Sequence, residues 1–293
     1  MVAKTGVVVL VKTLGVIANC GKPRAGDVLG ALKNRAAELG ITLVTDDITA
    51  SLLNAPVKPI DEMLEEVDAV MALGGDGTML RVMRELGGRD KPVIGVNIGS
   101  LGFLTSVAEE HLDTALECLA SDDFVIDEAA VVECEVVGGG TGGRYTALND
   151  VVVSNGPSSR VITLELRIDG DYVTSYVCDG LIVSTPSGST GHSLSAGGPI
   201  LSPATPAVVI SLICPHTLSS RPLVVPDQSE ISVSVSNCEQ VVLSVDGQVG
   251  EPLQRGSEIK VRRSNQGVSF IRLPGHSYFA VLRQKLRWRG SNV

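Results

Sequence analysis

Five consecutive residues, Gly74-Gly75-Asp76-Gly77-Thr78, combine the residue types that phosphoryl chemistry needs. Glycines let backbone N–H groups approach an anion closely and tolerate φ > 0. The apolar run 67–73 before them reads as a buried parallel strand, and 79–86 after them has helical apolar spacing. The pentapeptide is therefore a strand-to-helix turn, and the helix start behind it favours negative charge. Asp76 is the odd member, because phosphates repel a carboxylate. It fits if a metal lies between them, or if it faces a hydroxyl that must lose a proton. The competing reading is a Gly-rich turn with a helix-capping Asp.

Three further stretches carry polar chemistry. Asp179-Gly180 opens a strand that ends in Thr185-Pro186-Ser187-Gly188-Ser189-Thr190-Gly191-His192-Ser193-Leu194-Ser195, dense in hydroxyls and free of carboxylates and lysines. Hydroxyls can contact sugar or base edges and helix-start amides can bind phosphate; an N-capped Ser/Thr-rich loop is the alternative. Asn149-Asp150 sits at a strand start, where Asn supplies donor and acceptor together and Asp can accept from a ribose diol; a plain turn pair is the alternative. Asp246-Gly247-Gln248 reads as a hairpin turn. Gly21-Lys22-Pro23 ends like a phosphate loop, but its spacing from Gly15 is wrong and Pro23 stands where Ser or Thr is needed. The histidines 111, 192, 216 and 276 show no metal-ligand spacing, and of them only His192 lies inside a polar loop.

The elements that must position these residues change in texture along the chain. Up to about residue 122, strands (14–19, 41–45, 67–73, 92–96) alternate with helices (25–39, 59–66, 79–86, 109–120), which predicts an α/β domain with a parallel sheet. Ligands of such sheets bind beyond the strand C-terminal ends, where both the 74–78 turn and the loop from Asn97 to Leu104 fall. From Phe124 onward, short Val/Ile-rich runs recur between turns at 138–143, Asp169-Gly170, Asn237 and Asp246-Gly247. That half reads as a β-sandwich-like domain with one helical segment, 190–196. The basic amphipathic tail 277–286 is expected to return to the first domain. The resulting division is 1–122 plus 275–293, and 123–274.

The totals bound the rest. A chain of 293 residues suits two domains and can bury a sizeable core without staples. With 44% hydrophobic but only 3% aromatic residues, that core must be Val, Ile, Leu and Ala. The net charge of −9 argues against a nucleic-acid footprint and against an anionic membrane surface. Six scattered cysteines without a C-x-x-C pair fit buried free thiols in a reducing cytoplasm. The early apolar run 6–11 is too short for a signal or a bilayer span, so a cytoplasmic protein is expected.

Taken in order, Gly74 to Thr78, Asn149-Asp150, Asp179-Gly180, the 185–199 stretch, Ile213 to Pro222, Asp246-Gly247-Gln248 and Leu282 to Leu286 resemble the NAD kinase family. The individual motifs are weak to moderate, but their ordered set is specific. The resemblance implies an N-terminal α/β domain, a C-terminal β domain with the site in the cleft between them, and homodimers or homotetramers. It also implies ATP or polyphosphate as donor, NAD as acceptor, and a divalent cation. The sequence offers no carboxylate cage, so Mg²⁺ is expected to arrive on ATP.

Carried over by position, Asp76 matches the group that takes the proton of the adenosine-ribose 2′-hydroxyl. Gly75, Gly77 and Arg81 match the ligand-binding turn and the helix behind it. Asn149, Asp150, Asp179, Thr190, Gly191, His192, Ser193, Leu194, Ser195 and Gln248 match residues that hold the dinucleotide, and Arg160 matches a basic ligand-contacting position. The family usually has Ala-Tyr where this chain has Gly191-His192, so a smaller imidazole replaces an aromatic stacking face, which bears on dinucleotide affinity or preference. Asp150 stands where Glu is also common. A lipid or sugar kinase sharing the Gly-Gly-Asp-Gly turn, and a non-catalytic nucleotide sensor, are the competing functional readings.

Overall fold

The computed structural model describes residues 10–99, 102–138, 142–156, 160–236 and 241–288. The apolar run that begins at Gly6, Ser100 and Leu101 of the loop after Asn97, residues 139–141 of the expected glycine turn, and Asn237 fall mostly or wholly outside these residues. Two units divide the chain: the residues up to 128 together with those from 268 onward, and residues 129–267.

In the first unit, β1 (Thr13–Ala18), β2 (Thr42–Thr45), β3 (Ala69–Gly74), β4 (Val93–Asn97), β5 (Val107–Ala108), β6 (Val125–Ala129) and the last strand of the chain, β19 (Val268–Arg272), form one sheet. Its order is β2-β1-β3-β4-β19-β6, with β5 also beside β4. The pairs β1–β2, β1–β3, β3–β4, β4–β5 and β4–β19 are parallel. The helices are α1 (Ala25–Glu38), α2 (Asp47–Leu53), α3 (Ile60–Glu66), α4 (Asp76–Leu86) and α5 (Leu112–Ser121), joined near the C-terminus by α7 (Tyr278–Lys285). Because successive strand residues point to opposite faces, Leu14, Val16 and Ala18 share a core with Leu29 and Leu32 of α1 and Leu116 of α5. The intervening positions meet the opposite layer: a Cβ on Gly15 would touch Met63 of α3, and one on Gly95 would come within 2.7 Å of Met79 Sδ in α4. Helices on both faces explain why all six residues of β3 are buried and apolar or glycine.

α2 is not visible in the apolar periodicity, since Ile48 and Leu52 are exposed. Its start is nevertheless fixed by Asp46, whose carboxylate accepts the Thr49 N–H at 2.9 Å. The expected helix 109–120 begins instead as a 3₁₀ turn, Glu109–His111, before α5.

The second unit is a sandwich of two antiparallel sheets. One runs β11-β10-β15-β18-β7-β8 and the other β14-β13-β12-β9-β16-β17. The strands are β7 (Val132–Val137), β8 (Arg144–Ala147), β9 (Asp150–Asn155), β10 (Ile162–Ile168), β11 (Asp171–Cys178), β12 (Gly180–Ser184), β13 (Ala207–Ile213), β14 (Leu223–Pro226), β15 (Ile231–Val235), β16 (Val241–Val245), β17 (Val249–Leu253) and β18 (Glu258–Arg263). Alternate residues of both sheets, such as Ile162, Leu164 and Leu166 from one and Val241, Leu243 and Val245 from the other, meet in one core. The β10–β11 hairpin turns on Asp169 and Gly170, both at positive φ, as the Asp-Gly pair leads one to expect.

Two expectations are corrected. Residues 190–196 do not form one helix: a 3₁₀ turn, Gly188–Thr190, and a single α-turn, α6 (His192–Ser195), are separated by Gly191 at φ −99°, ψ −126°. Ser and Gly have weak helix propensity, and this backbone leaves the helical region. The thiols are not all buried either: Cys118, Cys134 and Cys178 are, but Cys20 is half-buried and Cys214 exposed. Among the described residues, no helix is long and apolar enough to cross a membrane.

The end of β1 depends on a side chain from α2. The buried Thr49 hydroxyl accepts the Ala18 N–H at 2.8 Å. Thr49→Val keeps the shape but orphans that donor, and is expected to cost about 1–3 kcal/mol, read as a lowered urea midpoint at constant slope. An unchanged midpoint would assign the Ala18 amide another partner.

Candidate functional site

In the first unit the loops after β1 and β3 border a groove of about 430 Å³, lined by Asn19, Gly21, Lys22, Gly75, Gly77 and Arg81 among others. α4 starts at Asp76 with Gly75 as its N-cap. The three glycines of the turn work in two ways, and none needs positive φ. A Cβ on Gly74 would sit 2.1 Å from Thr78 Oγ1, so this glycine lets the helix start pack onto the strand end. A Cβ on Gly75 or Gly77 would meet nothing within 4 Å, so these two keep the groove floor open for a ligand to approach the backbone. Arg81, one turn along α4, pairs with Asp46, the N-cap of α2. Sequence reasoning passed over Asn19, and it weighed Lys22 only as part of a phosphate-loop ending and set it aside. Their signal was positional: they follow a parallel strand at its C-terminal end, where ligands of such sheets bind.

The Asp76 carboxylate turns across to the loop after β4. Oδ2 accepts the Phe103 N–H at 2.9 Å, and Oδ1 accepts those of Leu104 at 2.9 Å and Thr105 at 3.4 Å. Gly102 makes room for it: a Cβ there would fall 1.9 Å from Oδ1. Two carboxylate oxygens offer about four lone-pair directions, so these bonds fix the group while leaving it capacity for one more donor. The loop is braced further by Thr105 Oγ1, which accepts the Gly102 N–H, and by Lys285 of α7 over the Phe103 ring.

In the second unit three stretches far apart in sequence come together. The Asn149 carbonyl accepts the Thr185 N–H at 2.9 Å, and Thr185 Oγ1 donates to the Leu148 carbonyl. Gly188 presses on the same backbone, since a Cβ there would lie 2.0 Å from the Asn149 carbonyl oxygen. From the β16–β17 turn, Asp246 accepts the backbone N–H groups of Leu148, Asn149 and Asp150. Among the described residues, the buried Asn149 side-chain Oδ1 has no hydrogen-bond partner. Asp150 is 6% exposed, and its carboxyl is pushed up to about 7, first by burial and then by the charge of Asp246.

The remaining positions divide by exposure. Gly191, His192 and Ser195 are exposed, and Thr190 and Leu194 half-buried. Thr190 Oγ1 donates to the Ser187 carbonyl, whereas the buried Ser193 hydroxyl pairs with that of Ser211 at 2.9 Å. Asp179, half-buried at the start of β12, receives the Asn155 amide at 3.4 Å. Exposed Arg160 lies just before β10, and half-buried Gln248 closes the β16–β17 turn through its N–H to Val245. Among the described residues, no group of three or more His, Cys, Asp or Glu is placed to hold a metal.

This geometry can be set beside known proteins. The model of the ATP-NAD kinase N-terminal domain matches residues 15–124, and that of the C-terminal domain matches residues 148–273. The chain belongs to the NAD kinase family. It is 39% identical over 284 residues to the NAD kinase of Syntrophotalea carbinolica, covering 94% of this chain and 99% of that one. To the NAD kinase of Trichlorobacter lovleyi it is 44% identical over 230 residues, covering 78% and 81%. The fold is similar to yeast NADH kinase complexed with NADH, with a TM-score of 0.89, 25% identity and coverage of 96% and 89%. An NAD kinase from Archaeoglobus fulgidus in complex with ATP gives a TM-score of 0.77 at 25% identity, covering 95% and 100%.

Two outcomes follow from this geometry. Gly102→Ala drives a methyl into the Asp76 carboxylate and away from its amide donors, so activity is expected to fall by about 10²-fold or more and the urea midpoint to fall with it; activity near wild type would show that the carboxylate can move freely. Asp150 titrates near 7 in the fold against a usual 3.8. The stability contributed by its raised pKa is therefore full below about pH 4 and lost as pH rises through about 7. Asp150→Asn lacks that loss, so its melting temperature is expected to gain on wild type between about pH 5 and pH 8, by the equivalent of ~1–3 kcal/mol. Parallel melting curves across that range would place the charge in solvent.

Proposed function

We propose that this chain transfers the terminal phosphoryl group of ATP, or of polyphosphate, to the 2′-hydroxyl of the adenosine ribose of NAD, giving NADP. The observation that carries this reading is the Asp76 carboxylate, immobilised at a glycine-flanked helix start beside a groove bearing Lys22 and Arg81. A sugar hydroxyl is a poor nucleophile. With a carboxylate in hydrogen-bond reach, its proton passes to Asp76 as the new O–P bond forms and the bond from the γ-phosphorus to the bridging oxygen breaks, releasing ADP. Gly75, Gly77 and Arg81 hold phosphate oxygens: the glycines by leaving space beside the turn, Arg81 through a guanidinium fixed by Asp46. Lys22 adds a second positive charge to the same groove.

Asn149 and Asp150 hold the dinucleotide through its sugar hydroxyls. The buried, unpartnered Oδ1 of Asn149 supports this, because a polar atom in that state calls for a donor. Asp179, Thr190, Gly191, His192, Ser193, Leu194, Ser195, Gln248 and Arg160 complete the dinucleotide contacts in this reading, with His192 in place of the larger aromatic ring. Mg²⁺ travels with the nucleotide. The groove offers cations and amides rather than a carboxylate cage, which suits an ion held by phosphate oxygens and water, where it neutralises charge.

A homodimer or homotetramer in the cytoplasm is the working state we propose; exposed apolar side chains on the edge strand β11 (Tyr172, Val173 and Val177) support an assembly. A lipid or sugar acceptor is disfavoured, because the likeness extends through both domains of NAD kinases.

The test is NADP formation from ATP, Mg²⁺ and NAD by purified protein. Asp76→Asn turns an NH₂ toward one of the loop N–H groups and so is expected to lower the urea midpoint; in the folded variant NAD binding is expected to persist while ~3–5 kcal/mol of transition-state stabilisation is lost. Turnover near wild type in that variant would remove Asp76 from the base role.

A further inference from the structure

The Asp246-Gly247 turn has more bonds than a hairpin needs. Its own closure is complete with the Gln248 N–H on the Val245 carbonyl and two residues at positive φ, 51° and 65°. The Asp246 side chain works beyond the turn. It reaches the neighbouring β9 and accepts three successive backbone N–H groups: Leu148 at 2.9 Å on Oδ2, Asn149 at 2.7 Å and Asp150 at 3.0 Å on Oδ1. The Asp246 N–H returns the contact, donating to the Asp150 carbonyl at 2.9 Å. The opposite side of the dipeptide is clamped by Thr185 and Gly188. The two side chains so presented are the buried Oδ1 of Asn149 and the nearly buried carboxyl of Asp150.

We propose that Asp246 is a positioning residue that aims Asn149 and Asp150 at the sugar hydroxyls of the dinucleotide. The proposal rests on the reading that those two residues hold the dinucleotide. Three N–H donors converging on one carboxylate form a nest that fixes both backbone torsions of the dipeptide. A structural turn gains nothing from placing a second carboxylate beside Asp150, where burial already opposes charge. The charged group that acts on Asp150 is Asp246 of the β16–β17 turn; its register partner in β12 is the uncharged Ser184. Burial pushes Asp246 up as well, against the pull of its three amide donors, so the two carboxyls compete for ionisation.

The experiment titrates NAD into the full chain by calorimetry from about pH 5.5 to 8.5, alongside steady-state kinetics. In wild type, NAD affinity is expected to rise with pH through about 7 as Asp150 ionises and gains acceptor capacity. Asp246→Asn replaces one acceptor oxygen with an NH₂ that faces a backbone donor, and removes the charge. It is expected to raise KM for NAD about tenfold or more while kcat changes by less than about threefold, and to move the pH midpoint lower. A merely structural turn residue would not move that midpoint.

Asp246→Glu, which keeps the charge but displaces the acceptor by a methylene, is expected to raise KM with the midpoint near 7, and it serves if Asp246→Asn does not fold. NAD affinity and pH midpoint unchanged in either variant overturn the proposal. Asn149→Ala and Asp150→Asn separate it from the reading beneath it. If they leave NAD affinity unaltered, the assignment of the dipeptide fails; if they weaken NAD while the Asp246 variants do not, this inference alone fails.

Discussion

The Asp76 carboxylate accepts amide hydrogens from Phe103 and Leu104, and that contact ties the turn after β3 to the loop after β4. Both loops leave the same edge of a parallel sheet, where backbone groups no longer have strand partners. Without a charged acceptor, the loop amides would depend on water and the two loops would be free to separate. Gly102 makes the contact possible by lacking a Cβ, and Gly74 lets α4 start hard against the strand. The groove with Lys22 and Arg81 inherits its shape from this arrangement. The same group thus holds the architecture and carries the chemistry proposed for it, which explains why the turn tolerates a negative charge where phosphates must come.

The second unit repeats the device with different parts. There too a carboxylate at a glycine-containing turn, Asp246, gathers N–H groups from a distant segment and fixes the residues proposed to face the ligand. In both cases the cost of burying an acid is offset by several amide donors, which is how an acidic protein can present ordered polar sites without a large basic surface. Asp150 is raised by burial first and by the charge of Asp246 second, whereas in Asp246 the amide donors pull against the effect of burial.

Much of this was legible in the sequence, and the exceptions share a cause. Strands buried on both faces announce themselves as apolar runs, so β1, β3 and β4 could be read directly, as could the Asp-Gly hairpin between β10 and β11. Strands with mixed exposure at sheet edges could not: β14 contains Pro226 and β17 contains Gly250 and Pro252, residues that break the usual signal. α2 escaped because capping by Asp46, rather than an apolar stripe, defines it. At the sites, residue types were readable and partners were not. Asp76 could be singled out as anomalous, but that its oxygens rest on the amides of residues 103–105 depends on β4 lying beside β3. Asp246 looked like an ordinary turn residue because its partners lie about a hundred positions earlier.

The order of strands in the first sheet has a bearing on how the chain is made. β19 lies between β4 and β6, so the sheet that carries Asp76 is completed by residues 268–272. Residues 129–267 form a continuous unit and can fold as soon as they leave the ribosome. The segment made first must instead wait, with a gap between two of its strands, until nearly the whole polypeptide has been translated. The order of synthesis therefore favours the sandwich forming before the sheet that carries Asp76 is complete.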